Sequence, residues 1–232
     1  MINPTPKRTK EQKVIVYKTI VDPITMRLTV EKTKTQIYSK YGLLKPSPED
    51  VQILSIDKEY EPYTIVDGKY TMDYYRKRTY TIPVEEKVLE INILNQTPQP
   101  QKTQHSHGKT IQVEAEERLN CEEKAYLVLD RTGKEVSPQL VPSAPFEENP
   151  QTILSEIEKT QPLQTPTNTG IDILRTKIVK RPTEIERINQ ETFEVTEDAV
   201  IYTPVYNVKF QNQKTGETKT IKFDAVTAKR IS

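Results

Sequence analysis

The chain has 232 residues, of which 34% are apolar, with 34 basic and 33 acidic side chains and a single cysteine, so we expect one or two small domains around a compact core. No apolar run approaches the roughly 18 residues of a membrane span, and the first residues lack the apolar segment of a signal peptide, so we expect a cytoplasmic protein without membrane contact. The charge is uneven, because residues 1–45 hold ten basic and three acidic side chains while residues 112–160 hold five and eleven, a distribution that suits an electrostatic partner or contact between the ends.

The chain begins with a basic segment and a predicted hairpin. We interpret residues 1–11 as a basic flexible arm. Residues 13–21 are rich in β-branched side chains, and residues 26–30 alternate apolar and polar. Two strands joined at Asp22-Pro23 are therefore predicted.

The clearest strand signals lie between residues 51 and 94. Four β-rich stretches indicate antiparallel strands, and Asp67-Gly68 between two of them is a favoured hairpin turn. The meander that they predict completes an N-terminal α+β module over residues 12–95. The predicted strands cover residues 51–56, 60–66, 69–82 and 88–94.

Proline and acidic residues dominate the middle of the chain. Residues 95–109 contain no apolar residue other than proline. The pattern over residues 114–129 allows a helix, a strand, or one after the other, and residues 151–159 predict a short amphipathic helix. We interpret residues 96–170 as a Pro-rich acidic connector with short elements.

Regular structure is predicted again after residue 170. Apolar spacings of three and four predict helices over residues 171–180 and 182–190, separated at a proline. A strand pattern over residues 200–210 and 218–223, around a turn, predicts a hairpin. Residues 171–232 are therefore predicted to form a C-terminal helix-plus-hairpin module.

Together these elements predict an α+β protein of two small antiparallel-sheet modules, each with a short helix, joined by the Pro-rich linker region. Both modules contain Tyr-x-Pro before a predicted hairpin, at Tyr60 and at Tyr202. A distant internal duplication would explain this similarity. The preference for proline where edge strands begin would explain it equally well.

The end of the chain carries a hairpin followed by an Asp-Ala-x-Thr turn. The residues concerned are Tyr206-Asn207-Val208-Lys209-Phe210, Gly216-Glu217 and residues 220–229. This pattern resembles the ending of a PepSY-type repeat, which closes on Asp-Ala-x-Thr-Gly. Asp224, Ala225 and Thr227 match that motif, and Ala228 stands where the family has glycine. The resemblance implies a small non-catalytic interaction module.

Aromatic and basic side chains are concentrated on the predicted strand over residues 70–80. Single-stranded nucleic acid binds to such a mixture of stacking rings and cations on a sheet. In the alternative interpretation, the tyrosines of one face cover a core while the cations lie in solvent and protect an edge strand. The candidate binding residues are Tyr70, Tyr74, Tyr75, Arg76, Lys77, Arg78 and Tyr80.

Residues for metal binding or catalysis are scarce. His105, His107 and Cys121 are the only histidines and the only cysteine, and the two histidines lie in a polar segment that nothing preorganises, so we predict no metal and no cofactor. The chain lacks the GxSxG, P-loop, HExxH and GxGxxG motifs, so we predict that it is not an enzyme. A catalytic site assembled from distant residues stays open.

Our preferred hypothesis is a non-catalytic protein-interaction or scaffold module that uses exposed strands and tyrosine faces, with a protein as its partner. The first alternative is single-stranded nucleic-acid binding through residues 70–80. The second alternative is an enzyme of unknown class.

Overall fold

A computed structural model describes residues 6–8, 11–38, 46–93, 95–102, 108–160 and 169–231. The described strands are β1 (Pro6–Arg8), β2 (Lys13–Val16), β3 (Val51–Val84), β4 (Gln101–Lys102), β5 (Lys109–Leu129), β6 (Arg187–Asn212), β7 (Thr218–Asp224) and β8 (Arg230–Ile231). The described α-helices are α1 (Pro23–Ile37), α2 (Pro150–Thr160) and α3 (Thr169–Ile178).

All the described strands belong to one mostly antiparallel sheet. Its strand order is β4-β5-β3-β6-β7-β8, and β1 and β2 also pair with β6. β6 and β7 are antiparallel, with Val205 opposite Asp224, whereas β2 runs parallel to β6, with Lys13 opposite Ala199. The predicted class, α+β with antiparallel strands, is confirmed at this level.

The chain divides into two compact units, each described below by itself. The first unit contains Lys69–Lys124 and Arg175–Glu194, and the second contains Arg8–Gly68, Ala125–Leu174 and Val195–Ser232. The division into modules at residues 12–95, 96–170 and 171–232 stays a prediction. Of the predicted arm at residues 1–11, the structure describes only the backbone of β1 and Glu11.

Helix α1 begins at a strong local signal. The Asp22 carboxylate accepts hydrogen bonds from the backbone N–H groups of Ile24 and Thr25, at 2.9 and 3.0 Å, and proline occupies the first helical turn. Met26 and Val30, four residues apart, are both fully buried. The strand predicted over residues 26–30 is therefore wrong, because the cap fixes a helix there.

Strand β3 passes straight through the predicted hairpin turn at Asp67-Gly68, so that hairpin is wrong. β3 lies between β5 and β6, and Asp67 accepts a hydrogen bond from the Thr196 hydroxyl at 3.0 Å. Backbone pairing on both sides of a central strand outweighs the turn preference of one dipeptide. The strand predicted over residues 88–94 is also wrong, since Ile93 makes only an isolated bridge to Gln96.

The stretch predicted as a connector contains one of the longest strands. The pattern over residues 114–129, which allowed a helix or a strand, is strand throughout and belongs to β5. The helix predicted over residues 151–159 is confirmed by α2, and the helix over residues 171–180 by α3.

Of the two remaining C-terminal predictions, one is wrong and one is confirmed. The helix predicted over residues 182–190 is wrong, because β6 begins at Arg187 and pairs along the sheet. The hairpin that turns near Gly216 is confirmed by the register of β6 and β7. In the part of the chain that the structure describes, no helix is long and apolar enough to cross a membrane.

Candidate functional site: a charged strand face and an open strand edge

The candidate residues of the 70–80 stretch lie on β3 in the first unit, and alternation divides them between two faces. Tyr70 and Tyr74 are buried, at 0% and 5% exposure, on the same side as Met72. Tyr75 is half-buried on the opposite side, and Tyr80 is exposed. Burial thus removes two of the four candidate rings from solvent.

The buried Tyr70 belongs to a polar network with Glu191 and Arg181. The Tyr70 hydroxyl donates a hydrogen bond to Glu191 at 2.8 Å, and the Arg181 guanidinium donates two to the same carboxylate, at 2.7 and 2.5 Å. The hydrogen bonds from Arg181, and then the bond from Tyr70, keep the pKa of Glu191 below its ordinary value, although burial acts in the opposite direction. Burial, and then the bond to Glu191, raises the pKa of Tyr70.

Next along this side of the strand, Arg76 is held by acidic residues. Its guanidinium donates to Glu117 of β5 at 2.7 Å and lies 4.0 Å from Glu184. Tyr80 also donates its hydroxyl proton to Glu117. The hydrogen bond from Arg76 to Glu117 raises the pKa of the guanidinium above its ordinary value.

The opposite face of β3 is likewise tied together by charge. Asp73 accepts two hydrogen bonds from Arg118, at 3.0 and 2.6 Å, and one from Asn189 at 2.7 Å. These bonds lower the pKa of Asp73 to about 2. The Tyr75 ring lies 4.0 Å from the Arg187 guanidinium and 5.9 Å from that of Arg118.

The remaining cations of the stretch also have neighbours. Lys77 is paired with Glu186 at 2.8 Å, and Arg78 lies over the Tyr80 ring at 5.9 Å. Phosphate groups would therefore have to displace Glu117 from Arg76 and Glu186 from Lys77. The stretch has the residue types of a nucleic-acid surface, but in the described chain two of its three cations are already in ion pairs.

Of the three metal candidates, the structure describes only Cys121. His105 and His107 lie outside the described residues, and Cys121 is half-buried on β5. Burial raises the pKa of the Cys121 thiol, so the thiolate that a metal would need is disfavoured. The described residues contain no group of three or more His, Cys, Asp or Glu that could hold a metal ion.

The distinctive feature of the first unit is the outer edge of β5, the edge that faces away from β3. β4 pairs only with Lys109 and Thr110 at its beginning, and the Gln96 side chain donates to the carbonyl of Glu114 at 3.2 Å. From residue 115 to residue 123, no strand within the described ranges pairs with this edge. We call these nine residues the open edge; at 3.3 Å per residue they span roughly 30 Å.

The two faces of the open edge differ in chemistry. Ala115, Leu119 and Cys121 lie on the side of Glu117 and are half-buried. Glu116 and Glu122 lie on the side of Arg118, and both are exposed. The sequence contained a signal for this strand, since apolar residues alternate from Ile111 to Ala115, but it gave no indication of the missing neighbour.

Comparisons of the chain with protein-family models, with curated proteins and with solved structures found no match. The functional argument therefore rests on the geometry of the molecule.

Proposed function

We propose that the protein is a non-catalytic binding module that takes an extended segment of a protein partner as an additional strand along the open edge of β5. The observation that carries this proposal is the outer side of β5 from residue 115 to residue 123, which pairs with no strand within the described ranges. Such an edge presents N–H and C=O groups in the spacing that another strand needs. Addition of a strand would give affinity through the backbone and specificity through alternate side chains.

The side chains of the open edge define the chemistry of the partner. A strand beside β5 would place every second residue next to Ala115, Leu119 and Cys121, which favours apolar side chains there. Its other residues would face the side of Glu116 and Glu122. Arg187 lies 3.7 Å from Glu116, and Lys69 and Lys124 lie 2.6 and 2.7 Å from Glu122. Because such exposed ion pairs are weak, a lysine or arginine of the partner can compete for these carboxylates. The proposed partner is therefore an extended segment that alternates apolar and basic residues.

Tyrosine contributes one surface anchor beside the edge. Tyr80 is 43% exposed and is bonded to Glu117, a residue of the open edge. Its ring is held in place at low entropic cost, as is typical of aromatic anchors in interfaces. Tyr70 and Tyr74, which are buried, are not part of this proposed surface.

Charged side chains along an edge strand also serve to prevent aggregation, and this purely protective role is the competing explanation. The two explanations differ in an observable way. An edge that is only protected binds no extended peptide, whereas an edge that is used for recognition selects a defined alternating sequence.

The direct experiment is selection of twelve-residue peptides from a displayed random library against the full-length protein. We expect the selected peptides to alternate apolar and basic residues and to shift the NMR signals of residues 115–123. Glu116→Lys, on the acidic side of the open edge, should weaken binding about tenfold, since one charge-assisted contact is replaced by repulsion. Glu86→Lys, an exposed position of the same unit outside β5, is the matched control and should leave binding unchanged.

Two outcomes would overturn the proposal. One is that no peptide is enriched, or that the enriched peptides bind away from the open edge. The other is salt-steep binding of single-stranded RNA or DNA in fluorescence anisotropy that is lost when Arg76, Lys77 and Arg78 are replaced by alanine. That second outcome would favour the nucleic-acid alternative.

We further propose that the PepSY-type resemblance describes the local geometry of the last hairpin. The support is the turn after β7, where the Asp224 carboxylate accepts hydrogen bonds from Val226 N–H at 2.7 Å and from the Thr227 hydroxyl at 3.0 Å. Ala228 has a φ of 59°, the left-handed conformation in which the family has glycine. Interaction rather than catalysis, which the resemblance implies, agrees with the proposed function.

A further inference from the structure

The second unit contains a pocket of about 760 Å³. It is formed by β2, the turn after β5, helix α2, the beginning of α3 and the middle of β6. This volume lies within the range of roughly 300–1,000 Å³ that is usual for small-molecule sites.

A glycine at the start of α3 allows this arrangement. A Cβ atom on Gly170 would lie 2.7 Å from Val66 Cγ2, closer than such atoms approach without a shift, and in tight contact with Thr64 Cγ2 at 3.3 Å. The absence of a side chain at Gly170 therefore lets α3 lie directly against β3 at the wall of the pocket.

Two side chains with hydroxyl groups line the pocket, and neither hydroxyl makes a hydrogen bond to any residue that the structure describes. Tyr202 is 3% exposed and Thr64 is 8% exposed, but neither hydroxyl oxygen is itself a fully buried atom, so both open into the pocket. A hydroxyl group that opens into a pocket can bond to water or to a ligand. A ligand with hydrogen-bonding groups would fill the pocket and use both hydroxyls.

The charges around the pocket select among ligands. Glu158 of α2 lines it and makes no ion pair with any described residue, and the charge of Glu158 adds to burial in raising the pKa of Tyr202. Asp130 also lines it, and its Oδ1 atom accepts three hydrogen bonds within its own turn. Arg131, the basic lining residue, is exposed, as is Glu158. Two carboxylates against one guanidinium give the lining a net negative charge, which favours a cation over an anion.

We propose that this pocket binds a small organic molecule with a protonated amine and an apolar body. The ammonium group lies between the Glu158 carboxylate and the Tyr202 hydroxyl, and the apolar body lies along Val14, Leu129 and Val200. An ammonium group has three donors and no acceptor, which matches an unpaired carboxylate and a hydroxyl oxygen. Charge-assisted bonds of this kind are about twice as strong as neutral ones.

The test uses three probes that share an aryl-alkyl body and differ in charge: phenethylamine, 2-phenylethanol and 3-phenylpropanoate. Each is titrated into the full-length protein and followed by NMR signals of the pocket residues. We expect phenethylamine to bind about tenfold more tightly than 2-phenylethanol, and 3-phenylpropanoate to bind most weakly.

Variants identify the groups responsible. Glu158→Gln should bring the affinity for phenethylamine to that of 2-phenylethanol, whereas Glu156→Gln, on the same helix but outside the pocket lining, should change nothing. Tyr202→Phe should weaken phenethylamine about fivefold through the lost hydroxyl. Because Glu158 is exposed on its helix, Glu158→Gln tests the proposal even if Tyr202→Phe fails to fold.

Three results would overturn the proposal. They are no binding of phenethylamine at millimolar concentration, equal or tighter binding of the alcohol or the acid, and amine binding that Glu158→Gln leaves unchanged. None of them bears on the open edge, since the residues of the open edge belong to the other unit.

Discussion

The part of β3 in the first unit and the pocket of the second present polar side chains in two different states. On this part of β3, Asp73, Arg76 and Lys77 are each bonded to an oppositely charged residue. In the pocket, the hydroxyls of Thr64 and Tyr202 have no hydrogen-bond partner among the described residues. A dense run of charged and aromatic side chains can thus serve the fold itself, with its charges paired inside the chain. The groups to test for function are those that the fold leaves unpartnered, such as the two hydroxyls and the open edge.

The largest loss of stability is expected when the central residue of the paired network, Glu191, is removed. Glu191→Ala leaves Arg181 and the Tyr70 hydroxyl without their acceptor, and both side chains of the Arg181–Glu191 pair are mostly buried. We expect the free energy of unfolding to fall by about 3 kcal/mol in urea denaturation.

Lys77→Ala is the control for that variant, because its ion pair with Glu186 is largely exposed to solvent. It should change the free energy of unfolding by less than about 0.5 kcal/mol. A loss as large as that of Glu191→Ala would contradict the assignment of stability to the buried network.

A larger side chain at Gly170, in the wall of the pocket, should cause the next largest loss of stability. Gly170→Val places a branched side chain where even a Cβ atom would meet Val66 at 2.7 Å. We expect a loss of about 2 kcal/mol in urea denaturation through overpacking. Gly108→Val is a suitable control, since the nearest atom to an added Cβ there is at an ordinary 3.6 Å. Equal losses in the two variants would exclude close packing as the cause.

A matched pair of threonine substitutions sharpens the comparison. The Thr71 hydroxyl is bonded to that of Thr192 at 2.5 Å, whereas the Thr64 hydroxyl has no partner within the described residues. Thr71→Val should lower the free energy of unfolding by about 1 kcal/mol, because it leaves Thr192 without its bond. Thr64→Val should leave it unchanged or raise it by up to about 1 kcal/mol. If Thr64→Val is as destabilising as Thr71→Val, the Thr64 hydroxyl is a structural group and not a ligand contact.

The smallest change in stability is expected when the pH is lowered. The hydrogen bonds from Arg118 and Asn189 lower the pKa of Asp73 from 3.8 to about 2 in the folded protein. A lowered folded-state pKa gives stability that is complete above about pH 4 and is lost as the pH falls towards 2. The wild-type protein should therefore lose slightly more stability than Asp73→Asn between pH 5 and pH 2.5, as measured by urea denaturation. A carbon NMR titration that places the Asp73 pKa near 4 would contradict this account.

Local signals predicted part of this architecture. Helix α2 and the β6–β7 hairpin were predictable because their apolar spacing and turn residues lie within a short stretch. Asp67-Gly68 was misleading because pairing along β3, invisible in a local window, overrides its turn preference. Helix α1 was missed because its β-branched residues suggested a strand and Asp22-Pro23 was interpreted as a turn and not as a cap.

The candidate sites were less predictable than the fold. Alternation along a strand places Tyr74 and Tyr75 on opposite faces, but the acidic partners of the strand, among them Glu117 and Glu186, lie far away in the sequence. The pocket draws on several distant segments, and no spacing in the chain brings them together before it folds. Whether a strand lacks a neighbour depends on the whole sheet, so the sequence of β5 alone cannot predict that its outer edge is open.

The measurement that tests the central claim most directly is residue-resolved hydrogen exchange along β5. In a strand with one neighbour, every second amide points away from that neighbour. We predict that amides of residues 115–123 alternate between fast and slow exchange, and that a selected peptide slows the fast set. Uniformly slow exchange over these residues in the free protein would show that the edge is already covered, which would contradict the proposed function.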